Sequence, residues 1–304
     1  MNTSLILTIY NESNSIGRFL ESVKRQTITV SEVVIVDGGS SDNSVAIVRE
    51  FSQMNPETRV SLLVEPGCNI AEGRNVAIKA SVGEVILVSD GGCVLSERWV
   101  EEIARPFENA KVDIVGGTYS AISNSYFQRC MAKILIPSCK EFNSDRFIPS
   151  SRSIAFRRGC WEAVSGYPED LKIAEDTKFI HSLLALGYKL VISTKARVFW
   201  EQRSSMFGFM KQMFYYAKWD SVARIFTRTQ LRCFTNTILL TTSLFFKPFW
   251  VLYLISFNYS LLKLRSRFSF RDASLIPGVV LLRIVEDCVR CFGYSVGYTK
   301  GLFL

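Results

Sequence analysis

Four short apolar runs punctuate the first ninety residues: 4–10, Val33–Val36, Val60–Val64 and Val85–Val88. A stretch of helical spacing follows each one. Ile16, Phe19, Leu20 and Val23 mark a helix over 13–26, with Ser13 or Asn14 as its cap. Val45, Ile47, Val48 and Phe51 mark the second, residues 70–82 the third, and Trp99, Val100, Ile103 and Phe107 the fourth. Near-continuous apolar strands are the pattern of a sheet buried on both faces. Strand–helix alternation predicts a mainly parallel sheet flanked by helices, with ligands bound beyond the carboxyl ends of the strands. Tyr10–Glu12, Asp37 and Asp90 fall at such ends, about 27 and 53 residues apart. A parallel sheet would bring them to one edge.

The pattern changes beyond residue 112. Asp113–Val115, Ser153–Phe156 and Leu190–Ser193 read as further strands, 120–150 as irregular, 175–187 as helix, and 205–230 as aromatic, basic and helical. Residues 234–262 are strongly apolar but interrupted by Lys247-Pro248, and each half is shorter than the ~20 residues that span a bilayer. Arg224, Arg228 and Arg232 precede this run, and Lys263, Arg265, Arg267 and Arg271 follow it. Cations at both ends favour a re-entrant or interfacial hairpin turning at Pro248 over one kinked span. A second apolar stretch, 274–304, is broken by Arg283, Glu286, Asp287 and Arg290 and reads as interfacial.

Charge follows this division. The net charge is +8, but residues 1–200 carry 22 Lys+Arg against 23 Asp+Glu, and 201–304 carry 14 against 5. Cations flanking apolar segments point to an anionic membrane surface, and no nucleic-acid partner is expected. Eight cysteines without framework spacing, and no leader-like start, suit a reducing cytosol. His181, the one histidine, excludes mechanisms that need a His cluster and reads as a structural residue. There is no Walker A loop and no G-x-G-x-x-G. Gly293-Tyr294-Ser295-Val296-Gly297 matches a hydrolase elbow string, but His181 precedes the serine, and helix packing through small residues accounts for it better.

A nucleotide sugar offers base N–H groups, ribose hydroxyls and an anionic diphosphate. Carboxylates accept from the first two, glycines allow close backbone approach, and an arginine fork such as Arg74 matches the third. The chain resembles a family 2 glycosyltransferase of the GT-A fold. The matching segments are Leu7–Glu12, Val34–Asp42, Gly73-Arg74-Asn75, Gly83-Glu84, Asp90-Gly91-Gly92 with Trp99, and Ala174-Glu175-Asp176-Thr177, in that order across 4–220. Within that family it is similar to a bacterial group with an Asp-x-Gly-Cys site, Pro149–Ser153 and Gly166–Glu169.

This resemblance implies a catalytic domain over 1–230, with a nucleotide-sugar half (1–119) and an acceptor half (120–230), then membrane-associated helices over 231–304. It implies that Tyr10, Glu12, Asp37 and Gly38 bind base and ribose. Arg74 and Asn75 would lie near base or diphosphate, and Asp90 at the ribose or a metal. Arg152, Trp200, Arg203 and Gln212 would line the acceptor and diphosphate side. Asp176, beside Glu175, would be the general base of an inverting transfer to a lipid-linked or polysaccharide acceptor at the cytoplasmic membrane. A divalent Mg2+ or Mn2+ would assist. Gly92 stands where the family's Asp-x-Asp has its second acid, so the ion rests on Asp90 and diphosphate, on a carboxylate elsewhere, or is absent. The processive Gln-x-x-Arg-Trp motif is missing. The rival readings are a nucleotidyltransferase of similar fold and a non-catalytic membrane scaffold.

Overall fold

The computed structural model describes residues 1–142, 147–225 and 227–301, so the last residues of the expected membrane-associated tail, 302–304, lie outside it. The elements are β1 (Thr3–Ile9), α1 (Ile16–Lys24), β2 (Glu32–Asp37), α2 (Ser44–Met54), β3 (Val60–Val64), α3 (Ile70–Ala80), β4 (Val85–Val88), β5 (Cys93–Leu95), α4 (Trp99–Ala104) and β6 (Ile114–Ile122). Then come α5 (Tyr126–Leu135), α6 (Cys139–Phe142), β7 (Ile154–Arg157), α7 (Arg158–Ala163), α8 (Glu175–Ala185) and β8 (Leu190–Glu201). Four helices close the chain: α9 (Met206–Val222), α10 (Arg228–Ser243), α11 (Phe249–Leu262) and α12 (Ile276–Gly301). They form two compact units, Met1–Ser120 with Glu141–Glu201, and Ala121–Lys140 with Gln202–Leu304.

The first unit is built on an eight-stranded sheet of order β3-β2-β1-β4-β7-β6-β8-β5. β3, β2, β1 and β4 are parallel, as the alternation predicts, because α1, α2 and α3 supply the crossovers that parallel neighbours need. Strand β7 runs antiparallel to both its neighbours, β4 and β6, and β5 runs antiparallel to β8. The sheet is therefore mixed rather than mainly parallel. The alternation breaks at Asp90–Gly92, where the chain runs from β4 into β5 without a helix. Alternate residues of β1, β2 and β4 feed two cores. Leu5, Leu7, Ile35 and Leu87 pack with Phe19, Leu20 and Trp99, while Ile6, Val34, Ile86 and Val88 pack with Ile78, Phe156 and Phe179. Burial on both faces is why these strands read as continuous apolar runs.

Several local expectations change. Helix α1 begins at Ile16 rather than Ser13, because the Glu12 carbonyl takes the N–H groups of Ser15 and Ile16. The stretch read as irregular holds α5, whose Ser125 and Gln128 form a reciprocal capping box. Strands β6 and β8 run nine and twelve residues, longer than their apolar cores suggested. His181 is exposed on α8.

In the second unit α5 packs on α12 and the turn before it through Cys130, Met131, Ile134, Leu275, Val279 and Leu282. That draws 121–140 into this unit and places the division at 201 rather than 230. Helices α10 and α11 pack on each other as a hairpin turning at 244–248. A Cβ at Gly293 or Gly297 of α12 would collide with the carbonyl oxygens of Phe214 and Lys218 on α9, so this glycine pair serves close helix packing. The charges that interrupt 274–304 turn inward. Asp287 accepts from Arg232 Nε at 3.0 Å and Asn236 Nδ2 at 2.7 Å. Glu286 meets Arg283 at 2.6 Å and Arg232 and Arg290 at 3.1 Å each. Among the described residues no helix is long and apolar enough to cross a membrane.

Candidate active site

The carboxyl ends of β1, β2 and β4 lie on one edge of the first unit's sheet, with Ile9 paired to Asp37. The loops beyond β1 and β2 are stitched together. Asn11 N–H donates to Ser40 Oγ at 2.8 Å, Glu12 N–H to Ser44 Oγ at 2.7 Å, and Ser13 N–H to Asp42 Oδ2 at 3.0 Å. The Ser44 hydroxyl above all holds Asp42 well below the usual carboxylate range. Asp37 is fully buried, and it accepts from the N–H groups of Gly39 and Ser40 at 2.9 Å and from the Ser40 hydroxyl at 2.5 Å. Its carboxylate therefore closes the turn. A Cβ at Gly38 would sit 3.1 Å from the Cys68 carbonyl, and Tyr10 stands exposed beside it.

The hub of the edge is Arg74, only 2% exposed in the first half of α3. Its two terminal nitrogens reach Glu175 Oε1 at 2.5 Å and Asp90 Oδ1 at 3.0 Å, and its guanidinium lies 5.3 Å from the Tyr167 ring centre. Its Nε is buried without a partner. Arg152 approaches the other Asp90 oxygen at 3.9 Å and stacks 4.0 Å over the Trp200 ring. One carboxylate and two guanidinium groups thus gather at the end of β4. Burial first, and the neighbouring Asp176 second, push the Glu175 carboxyl up to about 7 in spite of Arg74.

The two acids at the head of α8 are separated by burial. Glu175 is enclosed and holds Arg74. Asp176 is half-buried, with one oxygen accepting from Ser151 N–H at 3.1 Å and the other from Thr177 N–H at 2.7 Å. Of the two it is the carboxylate a hydroxyl can reach. Asn75 is 3% exposed and every polar position of its amide is engaged. Its Nδ2 donates to the Tyr167 carbonyl and Glu169, and its Oδ1 accepts from Trp161 Nε1 and Tyr167 N–H. Asn75 therefore anchors the 161–169 segment. Gly166, at φ +90°, permits that approach, since a Cβ there would fall 2.7 Å from Asn75 Oδ1. Tyr167, stacked 4.2 Å from Phe179 and near Arg74, and Ser151 are contributors that sequence reasoning gave no role, although both lie inside the family-like segments. Arg203 and Gln212 belong to the second unit, where Gln212 donates to the Tyr216 hydroxyl at 2.9 Å.

The donor set does not fit a resident divalent cation. Asp90 has a guanidinium at each oxygen, Gly92 brings no side chain, and no group of three His, Cys, Asp or Glu suited to a metal occurs among the described residues. A Cβ at Gly92 would be 3.9 Å from Glu12 Oε2, the nearest atom in otherwise open space.

The sequence profile of glycosyl transferase family 2 matches residues 4–161. Glycosyltransferase AglE of Haloferax volcanii is 27% identical over 62% of this chain and 64% of its own length. The poly(ribitol-phosphate) beta-N-acetylglucosaminyltransferase TarS of Staphylococcus aureus is 27% identical over 64% of this chain and 35% of its own. Across the curated relatives with the strongest matches, this chain spans about half to just under two-thirds of their length. The mannosyltransferase PcManGT from Pyrobaculum calidifontis, solved with GDP-Man and Mn2+, shares the fold at a TM-score of 0.59 and 15% identity, covering 99% of this chain and 74% of that one. TarS 1–349 of S. aureus with UDP-GlcNAc does so at 0.56 and 19%, covering 99% and 91%. The first unit is thus GT-A-like: a mixed sheet flanked by helices.

Proposed function

Since this chain belongs to glycosyl transferase family 2, we propose that it moves a sugar from a nucleotide-diphosphate donor to a hydroxyl of a lipid-linked or polysaccharide acceptor, with inversion, at the cytoplasmic face of a membrane. The observation that carries this reading is the sorting of charge at one sheet edge: two arginines around Asp90, and a reachable Asp176 beside the enclosed Arg74–Glu175 pair. The acceptor oxygen attacks the anomeric carbon as the bond to the diphosphate oxygen breaks. The proton passes to Asp176, and the electron pair leaves with the diphosphate. Arg152, held over Trp200, and Arg74, held by Glu175, offer fixed positive charge to the departing group. The loops at Tyr10–Glu12 and Asp37–Ser44 shape the backbone that receives the nucleoside. No step is routed through a metal. The basic, apolar end of the chain supports a membrane-borne acceptor.

The test is a thermal-shift screen of nucleotide-diphosphate sugars with and without Mg2+ or Mn2+, followed by identification of the released product. A nucleoside diphosphate supports glycosyl transfer. Release of pyrophosphate from a nucleoside triphosphate instead would make the chain a nucleotidyltransferase. Donor binding without turnover on any acceptor would favour a scaffold.

A further inference from the structure

Beside its apolar core, the second unit also buries polar side chains and exposes apolar ones. Helix α10 buries Gln230, Cys233, Asn236 and Ser243, and exposes Leu231 and Ile238. Helix α12 buries Arg283, Glu286 and Asp287, and exposes Leu281 and Phe292. Helix α11 carries no charged side chain, and it exposes Trp250, Val251, Leu252, Leu254, Ile255, Tyr259 and Leu262 over an arc of about 200° whose one exposed amide, Asn258, donates to the Leu254 carbonyl. In water this would be a large apolar patch around a costly polar centre. In hydrocarbon it is the expected arrangement, because charged groups face the bundle interior and pair there while apolar groups face lipid. The arc is also convex and wider than the stripe that a single partner helix covers. Exposed cations border it: Lys247 before α11, and Lys263, Arg265 and Arg271 after it, a match for anionic headgroups. Leu262 further lines an apolar cavity of about 330 Å3 with Leu264, Phe268, Phe270, Ile276 and Val279 at the basic end of the helix.

We propose that α11 lies along one leaflet of an anionic bilayer, its apolar arc in the hydrocarbon and Lys247 at the headgroups, and that the Arg232–Glu286–Asp287–Asn236 network is the polar centre that lets these helices do so. The orientation follows from length and charge. Helix α11 has 14 residues and is about 21 Å long, more than the ~15 Å hydrocarbon depth of one leaflet. With Lys247 at one end and Lys263 and Arg265 at the other, it reaches headgroups at both ends by lying along the leaflet. This builds on the membrane-facing reading above, and names its partner and orientation.

The experiment floats the full chain with vesicles of phosphatidylcholine containing one-third phosphatidylglycerol, and with phosphatidylcholine alone. Chain-brominated lipids then report on Trp250. Flotation that survives high salt is expected, with bromine quenching that disappears in Trp250→Phe. The double variant Leu254→Glu/Ile255→Glu, at two exposed positions, should lose flotation while keeping its circular dichroism and Tm. Binding that high salt strips and bromine does not sense would overturn insertion in favour of surface attachment. Self-association without vesicles, abolished by the same variant, would assign the face to a second copy. No nucleotide sugar enters this assay, so a chain that floats but transfers no sugar refutes the enzymatic reading alone. One that transfers sugar but never floats refutes this proposal alone.

Discussion

Replacing Arg74 with Met tests the architecture of the site most directly. The substitution keeps an unbranched apolar side chain in the helix but leaves Glu175, 5% exposed, without its guanidinium and Asp90 with Arg152 alone. Breaking a buried ion pair from one side costs about 3–5 kcal/mol when the remaining charge stays ionised. Glu175 can escape that cost by taking a proton. In the parent its carboxyl, ordinarily at 4.5, lies at about 7. The folded state therefore holds the proton more tightly than the unfolded chain, and stability attributable to Glu175 declines as pH rises from 4.5 to 7 and is flat above. That decline amounts to about 3 kcal/mol at most. Without Arg74 the folded-state value moves higher still, so the decline continues past pH 7 at about 1.4 kcal/mol per pH unit. Urea unfolding at pH 6, 7 and 8 should show Arg74→Met losing up to about 1 kcal/mol more than the parent between pH 7 and 8. Adding Glu175→Gln should remove the extra slope and recover much of the loss, because the two changes share one interaction. Parallel pH profiles, or additive double-mutant energies, would refute the claim that Arg74 and Glu175 form a coupled buried pair.

Four further outcomes are expected. Asp176→Asn should lower turnover about 100- to 10,000-fold with donor affinity unchanged, measured by product formation beside calorimetric donor binding. Arg152→Ala, which takes the cation from between Asp90 and Trp200, should weaken donor binding about tenfold to a hundredfold. Donor affinity in the parent should change little when EDTA replaces Mg2+ or Mn2+, as isothermal titration would show; a large loss would mean that the two guanidinium groups do not displace a cation from Asp90. Asn75→Ala, which orphans Trp161 Nε1 and the Tyr167 N–H, should cost about 2–4 kcal/mol in urea unfolding while leaving the second unit's packing intact.

The parallel half of the fold was legible because each strand there is buried on both faces and each crossover helix repeats its apolar residues at helical spacing. The same signals faded after Asp90. Strand β5 is only three residues long, and β8 exposes Thr194 and Lys195 along its length, so neither presents a periodic apolar pattern. Helix α5 was readable in principle, since Ser125-x-x-Gln128 followed by Met131 and Ile134 is a capping box before an apolar stripe. Aromatic residues and prolines nearby masked it. At the site, strand-end position picked out Asp37 and Asp90 and residue type picked out Arg74, whereas Arg152 and Asp176 came from the family resemblance. Residue type and spacing could not rank Glu175 against Asp176, neighbours of identical charge, and only the resemblance favoured Asp176; in the structure the two differ in burial.

The order of residues alone determined that a sheet would gather acids and glycines from distant segments at one edge, and that positive charge would concentrate in an apolar last third. Periodicity and composition are local quantities, and these conclusions needed nothing more. Only the tertiary structure decided which polar groups end up paired. It turned Asp37 into a turn-former and Asn75 into an anchor, and set two guanidinium groups where a metal would have been expected. It also faced Arg283, Glu286 and Asp287 inward under an apolar exterior. The energy of a charged side chain depends on the groups and solvent that surround it, and folding supplies those from elsewhere in the chain.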